Sequence, residues 1–358
     1  MNQALKCLLG LVPVAAVLVS VVLPSAAMAA PTDIRPRIAF VSHAPDTDQW
    51  WTTIKNAIQH ASVDFEIDVD YLNPKDGSIQ EMGRILSGLS PQRYAGVIAT
   101  LADAKALAAP LHQVVVVNNL PLITVNSGTG AESEKAGALL HIGQPEFQAG
   151  LEAGAHAQKA GVHNFVCLNH YSTNATSHER CQGFARGLGL DVAATAEISL
   201  TGSQAEMQRS IEAYQAAHPD VQAWLALGPT SAHPALAAVR AMKVGAATPR
   251  RPYFVTFDVS QDIVAGIKEG LVAFAIDQQP YAQGYLSVAL MSEYLSEGRP
   301  TSTKVAKYTV YAQEKLHVRM AKYGIELKPS NNRDVNSGPG FVTKLNVEKV
   351  ERFSGQYR

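Results

Sequence analysis

Short β-branched and apolar runs alternate along this chain with longer stretches in which apolar residues recur at helical spacing. Trp51, Ile54 and Ile58 form one such helical stripe. The predicted strands are Arg37–Ser42, Asp68–Leu72, Gly96–Thr100, Leu122–Asn126, Leu139–Ile142, Asn164–Leu168, Val192–Leu200, Ala223–Leu227, Tyr253–Phe257 and Ala273–Asp277, with a last strand and helix over Phe341–Phe353. Strands that alternate with helices predict an α/β protein built from βαβ units around parallel sheets.

The number of predicted strands exceeds what one compact α/β lobe of this length needs, so we expect two lobes, each with its own parallel sheet flanked by helices. Polar stretches containing proline follow the fifth and the tenth predicted strand and mark the breaks. The predicted N-terminal lobe is residues 31–140 plus 280–312, and the C-terminal lobe is residues 141–279 plus 339–358. Residues 313–338 are predicted to be a loop-rich extension.

The N-terminal residues have the pattern of a secretory signal peptide, predicted over residues 1–30. Lys6 precedes an apolar run from Leu8 to Leu23, and Ala27-Met28-Ala29 gives a small-residue processing site. The alternative is an uncleaved anchor helix, although a span needs about 20 apolar residues. Cys7 precedes the apolar run, so no lipid anchor is predicted. We therefore expect a protein of the periplasm.

Charge and cysteine content narrow the function further. The formal net charge is -1, so no basic face for nucleic acid is implied. Of three cysteines, Cys167 and Cys181 lie outside the predicted signal peptide. In an oxidising compartment this pair is expected to form a disulfide that holds the polar loop between a strand and a helix, and the alternative is two buried thiols.

Side chains that follow the predicted strands are candidate ligand contacts, because open parallel sheets bind ligands beyond the carboxyl ends of their strands. Most are hydroxyls, amides or carboxylates, which suit an uncharged, polyhydroxylated ligand. The candidates are Ser42, His43, Asp46, Asp103, Asn126, Ser127, Gln144, Asn169, His170, Thr230, Asp258 and Gln278.

Two tryptophans and one arginine complete this candidate site. Trp50 and Trp51 begin the first predicted helix, and an aromatic face packs well against the C–H face of a sugar. Because Trp51 lies on the apolar stripe, we expect Trp51 in the core and Trp50 as the platform. The planar guanidinium of Arg180 can give parallel hydrogen bonds to two neighbouring oxygens, and the alternative is an arginine on a helix surface.

No catalytic motif stands out. The chain lacks a G-x-S-x-G elbow and an H-E-x-x-H pair, and Ser133 stands where the Gly128-Thr129-Gly130 segment would need a third glycine. Paired acids for glycoside hydrolysis stay open among the aspartates, so a secreted hydrolase is kept as an alternative. We expect no enzymatic activity, no metal and no cofactor.

Several segments, in order, resemble the periplasmic monosaccharide-binding proteins of ABC importers, in the ribose-binding-like group. The segments are Ile38–Pro45, Pro121–Gly128, His141–Gly150, Glu179–Phe184 and Phe341–Val347. The resemblance covers nearly the whole chain after the predicted signal peptide. It implies two Rossmann-like lobes joined by a three-crossing hinge, with the ligand held between them.

The resemblance also implies roles for individual residues. Arg180 stands in the family's R-x-x-G-F motif, Asp258 at its strand-end aspartate, Gln278 at its hinge glutamine and Asn126 after the fourth strand. Two departures stand out. Gly228-Pro229-Thr230 occupies a position where many members carry Asn or Asp, and residues 313–338 are longer than the ribose-binding pattern.

The implied partners are a monosaccharide (a pentose, hexose or cyclitol) and the transmembrane subunits of an ABC permease, with the protein acting as a monomer. A sensory module that presents a sugar-like signal to a sensor kinase or chemoreceptor is the alternative. The family shares its fold with sugar-responsive repressors, but no DNA-binding helix-turn-helix precedes the first predicted lobe.

Overall fold

The computed structural model describes residues 35–242, 251–300, 303–328 and 333–358 of the chain. The predicted signal peptide, residues 1–30, lies outside the described residues. Within the described part of the chain, no helix combines the length and the apolar character that a membrane span requires.

The strands confirm most of the pattern predicted from sequence. They are β1 (Arg37–Val41), β2 (Asp68–Leu72), β3 (Gly96–Ala99), β4 (Leu122–Val125), β5 (Leu140–Gly143), β6 (Phe165–Asn169), β7 (Glu197–Ser199), β8 (Ala223–Ala226), β9 (Tyr253–Phe257), β10 (Phe274–Asp277), β11 (Asp334–Asn336) and β12 (Gly340–Thr343). The first ten correspond to predicted strands, and all of these except β7 agree with the prediction to within one residue at each end. The last strand predicted within Phe341–Phe353 is β12, whereas β11 was not predicted.

The helices fill the intervals between the strands. They are α1 (Thr52–Asp64), α2 (Ile79–Ser87), α3 (Ala108–His112), α4 (Gly130–Lys135), α5 (Glu146–Lys159), α6 (Ala175–Gly187), α7 (Gln204–Ala217), α8 (Pro229–Ala241), α9 (Gln261–Glu269), α10 (Pro280–Ser296), α11 (Thr303–Tyr311), α12 (Glu314–Lys322) and α13 (Val347–Glu351). Several begin at a side chain that accepts a hydrogen bond from a free backbone N–H, such as Ser203 before α7 and Ser260 before α9.

The strands form two sheets, which define the two lobes. The first lobe has the order β11-β5-β4-β3-β1-β2, and the second has the order β12-β10-β9-β8-β6-β7. Neighbouring strands are parallel except β12, which runs antiparallel to β10. Parallel sheets need apolar cover on both faces, which explains why β1, β4 and β8 are apolar almost throughout. The predicted two-lobed α/β fold is confirmed.

Each lobe has an apolar core on both faces of its sheet. In the first lobe, α1 and α10 pack together on one face through Ile54 and Tyr285, and Met82 of α2 lies in the core of the other face. In the second lobe, Phe184 of α6 belongs to one core and Leu236 of α8 to the other.

The chain crosses between the two sheets three times, as the resemblance implied. It passes from β5 to α5 at residues 143–146, from β10 to α10 at 277–280, and from β11 to β12 at 336–340. These crossings lie side by side at the strand ends, where a small change of backbone angles can swing one lobe against the other.

One predicted strand is much shorter than expected. Residues 192–194 of the predicted strand Val192–Leu200 form a 3₁₀ turn, and only Glu197–Ser199 pairs with β6. The side chain of Asp191 accepts a hydrogen bond from the backbone N–H of Ala193 at 3.0 Å, which stabilises the turn against an extended backbone.

The lobe boundaries also differ from the expected ones. β5 belongs to the first sheet, so the first crossing begins after Gly143 rather than at residue 141. Residues 313–338, expected to be loop-rich, contain α12 and β11, and β11 extends the first sheet beside β5. Residues 353–358, expected in the second lobe, pack on the first lobe through Phe353 and Tyr357.

Candidate functional site

A cleft of about 910 Å³ opens between the lobes at the carboxyl ends of both sheets. Side chains of both lobes line it. Ten of the predicted contacts are among them: His43, Trp50, Trp51, Asn126, Ser127, His170, Arg180, Thr230, Asp258 and Gln278. The topology therefore brings predicted contacts that are up to 235 positions apart, His43 and Gln278, to one space.

One edge of the Arg180 guanidinium forms an ion pair with a glutamate of the same lobe. Its Nε and Nη2 donate to Oε2 and Oε1 of Glu146, both at 2.7 Å, and Nη1 donates to the backbone oxygen of Leu227 at 2.7 Å. Both side chains are buried, at 9% and 3% exposure. The paired N–H groups that we expected to meet a ligand therefore meet Glu146, and Nη2 also donates to Oε1 of the cleft residue Gln278 at 3.5 Å.

This ion pair depends on an unusually close approach of α5 and α6. A Cβ at Gly150 would lie 2.3 Å from the backbone oxygen of Arg180, and one at Gly183 would lie 2.1 Å from that of Phe147. Only glycine permits backbones to come this near. The contact sets Glu146, the first residue of α5, directly opposite Arg180 in α6.

The charge of Arg180 is retained in spite of burial. Burial by itself lowers the pKa of the guanidinium, but the adjacent Glu146 raises it, and the net direction is upward. The guanidinium also lies 4.4 Å from the ring centroid of Phe257. Because the cation and Glu146 neutralise each other, the pair adds no net charge to the wall of the cleft.

A chain of hydrogen bonds runs from the first lobe through the hinge to the second. Asn126 Nδ2 donates to Gln278 Oε1 at 3.2 Å and to Gln283 Oε1 at 3.0 Å. Gln278 Nε2 in turn donates to Asp258 Oδ1 at 2.5 Å. Gln278, in the second crossing, thus joins one cleft residue from each lobe.

Asn126 and Asp258 occupy equivalent positions in the two lobes. Each follows a strand, β4 or β9, and each has a left-handed backbone, with φ of 66° and 67°. Asn and Asp tolerate this conformation better than other residues with a side chain. Burial raises the pKa of Asp258 to about 7, although Arg180 and the hydrogen bond from Gln278 favour its ionised form.

Two histidines line the cleft, His43 from the first lobe and His170 from the second. Burial lowers the pKa of His43 and of His170 to about 4, with a further contribution to His43 from His170 and to His170 from Arg180. His43 Nδ1 lies 2.9 Å from Thr100 Oγ1. The buried Nδ1 of His170 has no hydrogen-bond partner within the described part of the chain, so it offers a polar atom to a ligand.

Gly228 leaves the room that His170 needs. A Cβ at this position would lie 3.2 Å from Cε1 of His170 and 3.3 Å from Oδ2 of Asp258. This explains the absence of Asn or Asp at the first position of Gly228-Pro229-Thr230. A side chain at residue 228 would take the space that the ring of His170 approaches.

The aromatic part of the cleft lies on the first lobe and reaches the second. Trp51 is 3% exposed and belongs to the core, as predicted, while Trp50 is partly exposed. Their rings meet edge to face, with centroids 5.3 Å apart. The ring of His43 lies 5.3 Å from Trp51 and 5.4 Å from Tyr171 of the second lobe, so the two lobes already touch here.

The loop that carries His170 and Tyr171 is closed by the predicted disulfide. Cys167 in β6 and Cys181 in α6 are bonded, with their Cα atoms 5.9 Å apart. The bond ties together the strand before this loop and the helix after it, and α6 also carries Arg180. The disulfide thus holds the backbone segments that carry His170, Tyr171 and Arg180.

Five predicted contacts do not line the cleft. Ser42 bonds to the hydroxyl of Tyr71 at 2.7 Å, and Asp46 accepts from Asn73 at 3.0 Å. Asp103 accepts from the backbone N–H of Ala106 at 2.9 Å, which stabilises its turn.

The other two of these five residues support neighbouring groups. Gln144 donates to Glu146 at 2.8 Å, and Asn169 donates to Glu197 at 2.7 Å. These five side chains were proposed because they follow strands, but their hydrogen bonds turn them toward the protein.

Sequence reasoning missed other residues of the site. Tyr171, Asn174, Ser177 and Asp48 line the cleft, and Glu146 stands directly behind it. Tyr171 directly follows His170, which was predicted as a contact because it follows a strand. Glu146 had no such signal, because its role depends on the packing of α5 against α6. Among the described residues, no group of three or more His, Cys, Asp or Glu side chains is arranged to hold a metal ion.

Residues 38–300 of the chain match the family model of the periplasmic binding protein domain. The chain belongs to this family. Two curated relatives of this binding protein are the periplasmic protein TorT of Escherichia coli O157:H7 and the ribose import binding protein RbsB of Haemophilus influenzae. The former is 24% identical over 266 residues, 72% of each chain. The latter is 25% identical over 298 residues, 80% of this chain and 95% of the relative.

Solved structures share the fold of the binding protein. A carbohydrate transporter from Acidothermus cellulolyticus, in complex with myo-inositol, superimposes with a TM-score of 0.73 at 24% identity, covering 90% of this chain and 99% of that one. The XylFII–LytSN complex contains a chain that superimposes with a TM-score of 0.63 at 19% identity, covering 75% of this chain and 95% of that one. Family membership confirms the predicted resemblance, and these structures confirm the fold.

Proposed function

We propose that this binding protein captures a monosaccharide between its lobes and delivers it to the permease of an ABC importer. The observation that carries the proposal is the pairing of Arg180, the one Lys or Arg among the described residues that line the cleft, with Glu146. The other lining side chains offer hydroxyls, amides, imidazoles, aromatic rings and the carboxyl groups of Asp48, Asp76, Asp258 and Asp262. Such a lining favours an uncharged ligand with many hydroxyls over an anion.

The remaining features of the cleft support the same class of ligand. Asn126 of the first lobe and Asp258 of the second offer hydrogen-bonding groups from opposite sides, and Trp50 offers a ring face. The cleft volume lies within the range of about 300–1,000 Å³ that is usual for small-molecule sites. The ribose-binding relative and the neighbour in complex with myo-inositol make a pentose, hexose or cyclitol the first ligands to test.

In this proposal, ligand binding biases a hinge between open and closed forms. Contacts from both lobes are needed, because a ligand shifts such an equilibrium only by its difference in affinity for the two forms. The closed form then docks on the permease. We infer that the sugar leaves unchanged, in keeping with membership of a family of binding proteins.

Thermal unfolding of the exported protein with a panel of pentoses, hexoses, deoxy sugars and cyclitols tests the proposal. The protein is first unfolded, dialysed and refolded to remove any ligand bound during expression. A ligand at 100 times its dissociation constant stabilises the folded form by about 2.7 kcal/mol, which is a clear shift in Tm. A panel without any shift contradicts the sugar proposal, and chemical change of the sugar on incubation contradicts the absence of catalysis.

A sensory role is the second candidate. Its specific support is the XylFII–LytSN complex, in which a chain of this fold is bound to another protein. The two roles predict different neighbours in the genome. Genes for a permease and an ATPase beside this gene support import, whereas a gene for a sensor kinase or chemoreceptor supports sensing.

A further inference from the structure

The last residues of the chain return from the second lobe to the first. The helix α13 packs against α9 in the core of the second lobe through Val347 and Val350. Residue Arg352 alone separates the end of α13 from the segment Phe353–Arg358, which we name the strap. The strap lies on the first lobe, so the chain spans from one lobe to the other within very few residues.

Aromatic packing holds the strap on the first lobe. The ring of Tyr357 stacks on Tyr323, with centroids 4.3 Å apart and planes 9° apart, and lies parallel to His60 of α1 at 6.0 Å. Phe353 meets Tyr323 edge to face at 5.4 Å. Tyr323 itself belongs to the buried core of the first lobe.

Hydrogen bonds and one buried ion pair fix the strap further. Nδ2 of Asn56, in α1, donates to the backbone oxygen of Gln356 at 2.9 Å. Nε of Arg358 donates to Oδ2 of Asp277 at 2.7 Å, and Nη1 donates to the backbone oxygen of Tyr323 at 3.1 Å. The side chains of Arg358 and Asp277 are 9% and 1% exposed.

The ion pair with Arg358 lies at the boundary between the two lobes because of the position of Asp277. Asp277 is the last residue of β10 in the second sheet and stands at the start of the second crossing. Arg358 therefore joins the end of a second-lobe strand to the loop after α12, which packs on the first lobe. Beside it, Gly355 and Gln356 line the ligand cleft.

We propose that the strap is a fourth connection between the lobes, which forms one wall of the cleft and restrains its opening. The three crossings permit a hinge, but the strap is anchored to α1 on one side of the cleft and is continuous with α13 on the other. Opening the cleft widely must lengthen the short link at Arg352 or detach the strap. Arg358 and Tyr357 act as positioning residues that keep the strap seated.

The consequence is a bias toward the closed form even without ligand. A protein whose binding-competent form is populated to a larger fraction binds with a proportionally higher apparent affinity. Loss of the strap is therefore expected to widen the distribution of lobe separations. This proposal concerns the ligand-free protein and goes beyond the proposed function, so it can hold or fail whatever the ligand proves to be.

The test is a distance measurement between spin labels on the two lobes of the ligand-free protein. Labels at Gln80→Cys in α2 and Arg209→Cys in α7 are exposed, and the native pair Cys167 and Cys181 is already bonded. Arg358→Ala is expected to shift the interlobe distance upward and to broaden its distribution. An unchanged distribution in a folded Arg358→Ala protein overturns the proposal.

A matched control separates the strap from the general loss of an ion pair. Arg240 and Glu269 form an exposed pair between α8 and α9, inside the second lobe. Arg240→Ala is expected to leave the interlobe distances unchanged, and an equal broadening in this variant contradicts the proposal. If Arg358→Ala does not fold, Tyr357→Ala decides instead, because it removes the stacking of Tyr357 on Tyr323 and His60 that holds the strap on the first lobe. A wild-type distribution there overturns the proposal.

Discussion

Glu146 accepts two hydrogen bonds from Arg180, one on each carboxylate oxygen, and so forms a closed ion pair directly behind the wall of the cleft. This contact determines the charge that a ligand meets. An arginine with a free edge would favour a carboxylate or phosphate, whereas an arginine paired with Glu146 adds no net positive charge to the wall of the cleft. The pair also joins α5, which follows the first crossing, to α6, which carries the disulfide.

Removal of Glu146 is expected to destabilise the protein strongly. Glu146→Ala leaves the buried guanidinium of Arg180 without its counter-charge, and breaking a buried pair in this way costs about 3–5 kcal/mol. Urea unfolding of the ligand-free protein measures the loss. Glu269→Ala, which breaks the exposed pair with Arg240, is the control and is expected to cost less than about 1 kcal/mol. Equal costs for the two variants contradict the assignment of Glu146 as a buried counter-ion.

The disulfide is expected to stabilise the second lobe and its cleft loop. Cys167 and Cys181 are separated by 14 positions, and closing a loop of this size stabilises by about 3 kcal/mol in the chain-entropy model. The double variant Cys167→Ala/Cys181→Ala should therefore unfold at a lower temperature and lose ligand affinity, because His170 and Tyr171 lie on the loop. Thermal scans with and without reductant provide the check. A reductant that lowers Tm of the double variant as much as that of the wild type contradicts the role of the bond.

Asp258 is expected to make stability depend on pH in a distinctive direction. Its pKa rises from 3.8 to about 7 on folding, so between pH 4 and 7 the native state holds a proton that the unfolded state has lost. The contribution of Asp258 to the free energy of unfolding therefore falls as pH rises through this window, by up to about 1.4 kcal/mol per pH unit. The amide in Asp258→Asn does not titrate, so the variant does not lose this contribution as pH rises. Its free energy of unfolding relative to that of the wild type should therefore increase from pH 4 to 7.

The difference between variant and wild type isolates this effect. The buried His43 and His170, whose pKa values are lowered to about 4, act in the opposite direction. Their contribution to the free energy of unfolding falls as pH drops below about 6.5, because the histidines of the unfolded chain then bind protons that the native state excludes. Both histidines are present in both proteins and cancel in the comparison. A relative stability that is flat from pH 4 to 7 contradicts the raised pKa of Asp258.

Trp50 and Trp51 are expected to behave differently although they are adjacent. Trp51 is 3% exposed, so Trp51→Ala should cost about 3–5 kcal/mol of stability. Trp50 is only partly buried, and Trp50→Ala should cost about 1–2 kcal/mol but weaken binding of the sugar identified by the panel. Titration calorimetry measures the affinity, with Trp50→Phe as the control that keeps a ring. Full affinity in Trp50→Ala contradicts its role as a platform.

The agreement between sequence and structure is best where local pattern decides. Strands such as Leu122–Val125 and Tyr253–Phe257 agree with the prediction to within one residue at each end, because buried runs rich in β-branched residues between polar loops allow few other arrangements. Agreement is poorest in edge and connecting segments. Residues 192–200 and 313–338 carry weaker apolar patterns, so a capping aspartate or contacts with a distant sheet determine their conformation.

In the candidate site, too, the local sequence pattern predicts some residues and not others. Strand-end position was enough to indicate His43, Asn126 and Asp258, because the carboxyl ends of parallel strands meet at one edge of each sheet. It could not distinguish these from Asp46 or Asn169, which also follow strands but bond to their own lobes. The direction of a side chain depends on its hydrogen-bond partners, and these come from distant parts of the chain.

The amino-acid sequence by itself determined the two α/β lobes, the edge of each sheet that borders the cleft, and the cysteines available for a disulfide. These follow from periodicity, strand order and compartment, which are local or compositional properties. Only the tertiary structure decided that Arg180 is paired with Glu146 and that burial raises the pKa of Asp258. It also decided that the segment Phe353–Arg358 returns to the first lobe. Burial and charge pairing arise between residues far apart in sequence, and their energies depend on distances that only the packed chain defines.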